Sequence, residues 1–340
     1  MAAVELLQGA APAYPSLAPL RLPKLAVIIP ALDEEETVGQ VIASIPRFIP
    51  GVGAVEVILV DDGSRDRTQK RAIAAGADAV CAHIQPRGLV EAFKAGVHEA
   101  LRRGASIVVN LDADGQHDPQ FIPQLVAPIL AGEADIVLGV RPLAEAGGEM
   151  SAMRRHGNRV GSWVAGRALG LSLSDATSGY RAFSREALLR LNVLSDFTYT
   201  LDTIIDASRK RLSVAEVHVP VRRRMVGESR MTHSILGYIR RTGGQAAVSM
   251  IRRRLPAVFG RLTAGSAVIA LFLTGLFLWR YQGGGAGRHL PALLASTVSW
   301  MITVGFFVCT MLAAGIDTSR RLLEDALYAI RRLELDNADG

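Results

Sequence analysis

The first 140 residues alternate short, almost wholly apolar runs with longer stretches of helical period. The runs are LAVIIP (25–30), VEVILV (55–60), SIVVNL (106–111) and DIVLGV (135–140). Between them, 33–45, 61–76 and 88–104 carry apolar residues on one helical face, with polar residues on the other. Continuous Val/Ile/Leu strands separated by helices predict an α/β fold, a mostly parallel sheet covered by helices on both faces. Further along, 151–170 reads as a helix with a basic face and 173–184 as a loop entering a strand. Residues 200–212 read as a helix, 213–219 as a strand, and 220–232 (PVRRRMVGESRMT) as a basic loop.

The pattern changes near residue 262. Eighteen residues without a charge (262–279) are followed by a glycine-rich loop and then by 27 more (290–316). A membrane-spanning helix needs about 20 predominantly apolar residues, so the pair predicts a transmembrane hairpin. Arg252, Arg253, Arg254 and Arg261 precede it and Arg320 and Arg321 follow it, while the connecting loop has only Arg280 and Arg288. The positive-inside bias puts both ends, and the whole N-terminal domain, on the cytoplasmic side of the cell membrane. The predicted organisation is a loose leader (1–23), a catalytic domain (24–231), a basic amphipathic segment broken at Gly243–Gly244 (232–261), two transmembrane helices (262–316) and a C-terminal amphipathic helix (317–340). That last helix gathers Leu323, Leu327 and Ile330 on one face, as a surface helix or a contact in a homo-oligomer.

Charge and cysteines narrow the function. The net charge of +6 comes largely from arginines crowded between 221 and 261. Such a patch suits phosphorylated ligands or an anionic membrane surface; no zinc-finger or RNA-binding signature favours nucleic acid. Cys81 and Cys309 form neither a disulfide framework nor a CxxC site. The glycine signatures of dinucleotide and P-loop binding are missing.

In open α/β sheets ligands bind beyond the carboxyl ends of strands, and three acidic clusters sit at such ends. The densest is NLDADGQHDP (110–119), with Asp112, Asp114, Gln116, His117 and Asp118 inside seven residues. Carboxylate and amide oxygens suit Mg²⁺ or Mn²⁺, which keep waters and share substrate phosphates. Asp112, Asp114 and Gln116 are the candidate ligands, and His117 is either a ligand or a hydrogen-bonding neighbour. In VDDGSRD, Ser64 and Asp66 serve a turn and a helix cap, whereas Asp61 and Asp62 are candidates for a nucleobase or ribose contact. In PALDEEETV, Asp33 can cap a helix, Glu35 and Glu36 are good first-turn residues, and Glu34 is the candidate for ligand.

VIIPALDEEETV, VDDGS, LDADGQHDP, TSGYRAFSREAL and RMVGESRM occur in that order. Over roughly residues 24–232 the chain thereby resembles glycosyltransferase family 2, in the branch of dolichol-phosphate mannose synthases and bacterial polyprenyl-phosphate glucosyltransferases. The resemblance implies a GT-A fold, a nucleotide-sugar donor and Mg²⁺ or Mn²⁺. It implies that Pro30, Ala31, Glu34, Asp61 and Asp62 line the nucleoside site, and that Asp112, Asp114 and Gln116 hold metal and diphosphate. Arg141 stands where the family has a phosphate-binding arginine. Arg224, Gly227, Ser229 and Arg230 match a loop that closes over the donor. Arg222 and Arg223 read as a solvated face, and Asp175 as a residue orienting sugar or acceptor, or as a plain loop carboxylate. Departures are Asp33 for the usual Asn, Val140 for Ser, and a PRGLVEA segment lacking a second glycine. The QxxRW motif of processive synthases is absent before the membrane segment, which predicts a single transfer.

These readings combine into an expected function. A membrane-anchored inverting enzyme would move one hexose from a UDP-glucose- or GDP-mannose-type donor to polyprenyl phosphate. A phosphate acceptor is largely a dianion at neutral pH and needs no strong general base. The alternatives are a family-2 transferase acting on a lipid hydroxyl or membrane glycan, and an inactive nucleotide-sugar-binding scaffold; the intact acidic trio disfavours the scaffold.

Overall fold

The computed structural model describes residues 22–141, 173–175, 177–193, 199–221, 235–282 and 290–339, with the side chains of 235–254 set aside. Residues 1–21 of the leader, the loop and helix expected over 141–170 (beyond Arg141 itself), and Arg224, Gly227, Ser229 and Arg230 lie outside the described residues.

A seven-stranded sheet forms the centre. Its strands are β1 (Lys24–Ala31), β2 (Ala54–Asp61), β3 (Ala79–Ala82), β4 (Ile107–Asn110), β5 (Ile136–Val140), β6 (Arg181–Ser184) and β7 (Val214–His218), in spatial order 3-2-1-4-6-5-7. β1 pairs in parallel with β2 and β4, β2 with β3, and β5 with β7; β6 alone runs antiparallel, between β4 and β5. The apolar runs became strands because both sheet faces are buried: Leu25 to Ile29, Val57 to Val60 and Ile107 to Val109 are all within 3 % of full burial. Alternate residues of each strand feed two cores. One lies under α1 (Val38–Ala43) and α4 (Ile122–Leu130), the other under α3 (Leu89–Arg102), α5 (Arg185–Arg190) and α6 (Tyr199–Lys210). α2 (Thr68–Ala74) completes the βα repeats.

Three local expectations differ. β3 is a run of only four residues at the sheet edge, none of them fully buried, too short to stand out in the sequence. α1 starts at Val38 rather than near 33, because residues 33–36 form the loop that binds the neighbouring loop, described below. Beyond the domain, α7 (Ile235–Gln282) runs unbroken through Gly243, Gly244 and Pro256, so the expected break at the glycine pair is absent. An interior glycine costs a helix only about 1 kcal/mol, too little to stop one of this length.

α7 and α8 (Leu290–Asp339) form an antiparallel hairpin. Polar side chains tie its apolar part: Thr274 and Ser296 hydroxyls are 2.8 Å apart, and the Trp300 indole N–H donates to Thr274 at 3.1 Å. Both helices are long and apolar enough to cross a membrane. Their most apolar windows are only 6 % and 17 % buried inside the protein, unlike the core helix of a soluble domain.

Candidate active site

The parallel strands deliver their loops to one edge of the sheet. Ala31 is level with Asp61, and Ile28 with Asn110, so 111–113 extend beside the end of β1. The Leu111 N–H donates to the Ile28 carbonyl, carrying the pairing one residue past β4. Arg141 follows β5 at the same edge, and Gly179–Tyr180 enter β6 there.

The first two loops are laced together. Asp33 has a left-handed backbone (φ 47°); its N–H donates to Ser64 Oγ and its Oδ1 accepts from the Arg65 N–H, both at 2.8 Å. The short side chains of Asp and Asn tolerate this conformation, which accounts for either at the position. Asp33 thus bridges loops rather than capping α1. Glu35 accepts from the Arg67 N–H at 3.0 Å while its own N–H donates to Asp66, and the Glu34 N–H donates to Thr68 Oγ1 at 2.9 Å. Asp66 accepts from the Thr68 N–H at 2.9 Å, the expected turn, but the N-cap of α2 is Arg67 rather than Asp66 or Ser64.

Asp61 and Asp62 are buried, and both are engaged by protein donors. Asp61 accepts from the Ser64 N–H and hydroxyl and from Gln69 Nε2. Asp62 Oδ1 lies 2.7 Å from His83 Nδ1 and accepts from the Arg87 N–H; its Oδ2 accepts from the Gly88 N–H, both at 2.8 Å. Asp61 thereby holds the turn at Ser64, and Asp62 fixes residues 83–88. Pro30 and Ala31 are buried at the end of β1, where the Ala31 carbonyl accepts from the Asp62 N–H.

Asp112 and Asp114 are partly exposed, on opposite sides of buried Ala113. Gly115 turns the chain with φ 73°, and the Gln116 N–H donates to Asp114 Oδ1 at 3.0 Å. Arg141 Nε donates to Asp175 Oδ2 at 2.9 Å, and Thr177 holds the other oxygen through its N–H and hydroxyl. Asp175 is 4 % exposed, so its carboxylate fixes Arg141 from behind. His117 joins the two halves. Its ring lies on Tyr180 with centroids 5.0 Å apart, and its backbone bridges to Val221, where the chain enters the basic segment 222–230. Burial, then the charge of Arg141, push its pKa down to about 4 against the pull of Asp175, so the imidazole is neutral at pH 7. Its buried Nδ1 has no hydrogen-bond partner among the described residues.

Sequence reasoning missed Asn110, Gly179 and Tyr199, which pack behind Asp112. Asn110 Nδ2 donates to the Gly179 carbonyl at 2.9 Å and to the Tyr199 oxygen at 2.8 Å. Burial, and then the charge of Asp112, raise the Tyr199 phenol far above its ordinary value, keeping it protonated. The one available signal was a polar residue ending the apolar strand IVVN.

The donor set fits a hard divalent cation. No group of three or more His, Cys, Asp or Glu able to hold a metal occurs among the described residues. Two half-exposed carboxylates and an amide leave coordination positions for a ligand's phosphates and water, the usual arrangement for Mg²⁺ or Mn²⁺.

Comparison with known proteins agrees with the fold. The family model "Glycosyl transferase family 2" matches residues 26–191. The undecaprenyl-phosphate mannosyltransferase of Micrococcus luteus is 29 % identical over 252 residues, covering 71 % of this chain and 98 % of that one. The polyprenol monophosphomannose synthase of Mycolicibacterium smegmatis is 31 % identical over 224 residues, 61 % of this chain and 81 % of that one. Among solved structures, glucosyl-3-phosphoglycerate synthase from Mycobacterium tuberculosis, in complex with Mn²⁺, UDP and glucosyl-3-phosphoglycerate, superposes with a TM-score of 0.52 at 27 % identity. That match covers 68 % of this chain and 80 % of the other. The fold is GT-A. This chain belongs to glycosyl transferase family 2.

Proposed function

We propose that the chain is a membrane-anchored, divalent-metal-dependent inverting transferase that moves one hexose from a nucleotide-sugar of UDP-glucose or GDP-mannose type to polyprenyl phosphate. The observation that carries this reading is the placement of Asp112 and Asp114, past β4, and of the Arg141–Asp175 pair, past β5, at the same end of one sheet, in a chain with two little-buried apolar helices. Relatives named for undecaprenyl phosphate and polyprenol support the acceptor.

In this reading Pro30, Ala31, Glu34, Asp61 and Asp62 line the nucleoside side. Asp112, Asp114 and Gln116 hold Mg²⁺ or Mn²⁺, which when bound neutralises charge developing on the leaving diphosphate. Arg141 adds a fixed positive charge at the same oxygens, and Asp175 keeps its guanidinium oriented. Arg224, Ser229 and Arg230, on the segment that follows Val221, supply further donors to the donor's phosphates. The acceptor phosphate carries its own negative charge, so direct attack on the sugar C1, with inversion, requires no protein base. His117, neutral and enclosed, cannot compete with Arg141 for the phosphates.

The apolar helices would span the membrane with both ends cytoplasmic, keeping the site beside an acceptor that cannot leave the bilayer. Basic residues next to the first span would add about 1 kcal/mol each on an anionic surface. The exposed face of Leu323, Leu327 and Ile330 supports a homo-oligomer, which a monomeric mass in mild detergent would refute.

The test is a transfer assay on purified protein in detergent with polyprenyl phosphate, Mg²⁺ or Mn²⁺ and labelled UDP- and GDP-sugars. Label should enter lipid only with metal and disappear with EDTA or in Asp114→Ala. Retained donor binding with no labelled lipid would overturn the acceptor, and label on 3-phosphoglycerate instead would replace it.

A further inference from the structure

We infer that Asn110 and Tyr199 are positioning residues for Asp112: a buried brace, three side chains deep, that sets where the first of the two exposed carboxylates stands. The inference rests on the reading of Asp112 as a metal ligand and names what holds that ligand in place.

Asn110 is the last residue of β4 and fully buried, two positions before Asp112. Both hydrogens of its amide are used at once, one on the Gly179 carbonyl and one on the Tyr199 oxygen. The Tyr199 hydroxyl in turn donates to the same Gly179 carbonyl at 3.2 Å, closing a three-membered ring of hydrogen bonds. Tyr199 cannot swing away, because its ring lies flat on Phe93 with centroids 4.1 Å apart and planes 1° from parallel.

The ring acts on Asp112 through Gly179. A Cβ at residue 179 would stand 3.1 Å and 3.4 Å from the two carboxylate oxygens of Asp112 and 3.2 Å from the Tyr199 hydroxyl. The carboxylate therefore rests against the bare face of Gly179, and the height of that face is fixed by the two hydrogen bonds on its carbonyl. Asn110 Oδ1 is itself buried without a hydrogen-bond partner among the described residues, a cost in stability. Partners behind a metal ligand commonly change metal affinity 10–100-fold when removed.

The test is Mn²⁺ titration of the full-length protein in detergent with UDP present, followed by electron paramagnetic resonance, for the parent, Tyr199→Phe, Gly179→Ala and Asp112→Asn. Tyr199→Phe keeps the stack on Phe93 and deletes one oxygen, so the protein folds. It should weaken Mn²⁺ about 10-fold while leaving metal-free UDP binding at the parent value. Gly179→Ala, which crowds the carboxylate directly, should weaken Mn²⁺ at least as much. Parental Mn²⁺ affinity in Tyr199→Phe, whether or not its melting temperature falls, would overturn the brace. Parental affinity in Asp112→Asn would overturn the metal reading on which it rests.

Discussion

Gly63 shows how one residue can hold two loops in register. It has φ 84°, and a Cβ there would stand 2.9 Å from the Gln85 carbonyl carbon and the Pro86 nitrogen, both backbone atoms that cannot rotate aside. Gly63→Ala therefore meets left-handed strain of about 1–2 kcal/mol and a clash of similar size. The expected loss is about 2–4 kcal/mol, read from the denaturant midpoint, with donor affinity falling because Asp62 fixes the same loop. Asp112 and Asp114 stood out as candidates because charge at a strand end is costly without a ligand or partner, whereas Arg141 was reached only through the family resemblance and Asp175 was open between an orienting residue and a loop carboxylate. The internal duties of Asp61 and Asp62 were not legible. Asp62 is answered by His83, Arg87 and Gly88, more than twenty residues on, which only the closed sheet brings near. Asn110 and Tyr199 are 89 residues apart, and neither lies in a motif that declares the other.

At the element scale the parallel strands and their helices could be read because hydrophobic run and helical period each suffice to place them. The reversal of β6 could not, since RAFS reads alike in either direction; its antiparallel pairing with Asn110 and Leu138 is decided by neighbours. At the sheet edge opposite the site, three elements are pinned by one carboxylate. Glu56 of β2 is 2.7 Å from Lys24 of β1 and 2.8 Å from Arg103, just past α3. Burial alone would raise its pKa, but Arg103 and Lys24 together hold it below its ordinary 4.5. A depressed carboxylate pKa stabilises the fold above the unfolded value and ceases to do so as pH falls through the folded one. These side chains are each about a quarter exposed, which limits the pair to about 1 kcal/mol. Glu56→Gln should therefore cost about 1 kcal/mol at pH 7, and the difference from the parent should fade as pH drops below 4.5. A difference that stays constant with pH would show that Glu56 acts by packing.

At the scale of the whole molecule, α8 joins the apolar hairpin to the catalytic domain without a break. The part after residue 316 continues for about 34 Å at 1.5 Å per residue and docks on α5 and α3. Tyr328 donates to Glu186, and Arg331 Nη1 donates to the Leu189 and Leu191 carbonyls at 3.1 and 2.9 Å. Those carbonyls end α5 and have no helical partner of their own, so Arg331 serves as its C-cap from another element. Leu335 is 7 % exposed within the core that holds Phe93, Leu101 and Leu188. An apolar groove of about 620 Å³ runs alongside, between Val97 and Leu101 of α3 and Leu323 and Leu327 of α8. A sequence-level reading could find the helix and its apolar face but not this docking, which is made by Tyr328, Arg331 and Leu335 rather than by the leucine stripe. Two predictions separate a docked helix from a tethered one. Arg331→Ala leaves two carbonyls unpaired and should cost about 1–3 kcal/mol, with faster hydrogen exchange confined to α5 and residues 328–335. Removing 320–340 should lower the melting temperature of the catalytic domain and bare Leu188, Leu189 and Leu191, raising binding of an apolar dye. If the shortened protein melts like the parent and binds no more dye, the helix only follows the domain, and the anchor and the active site move independently.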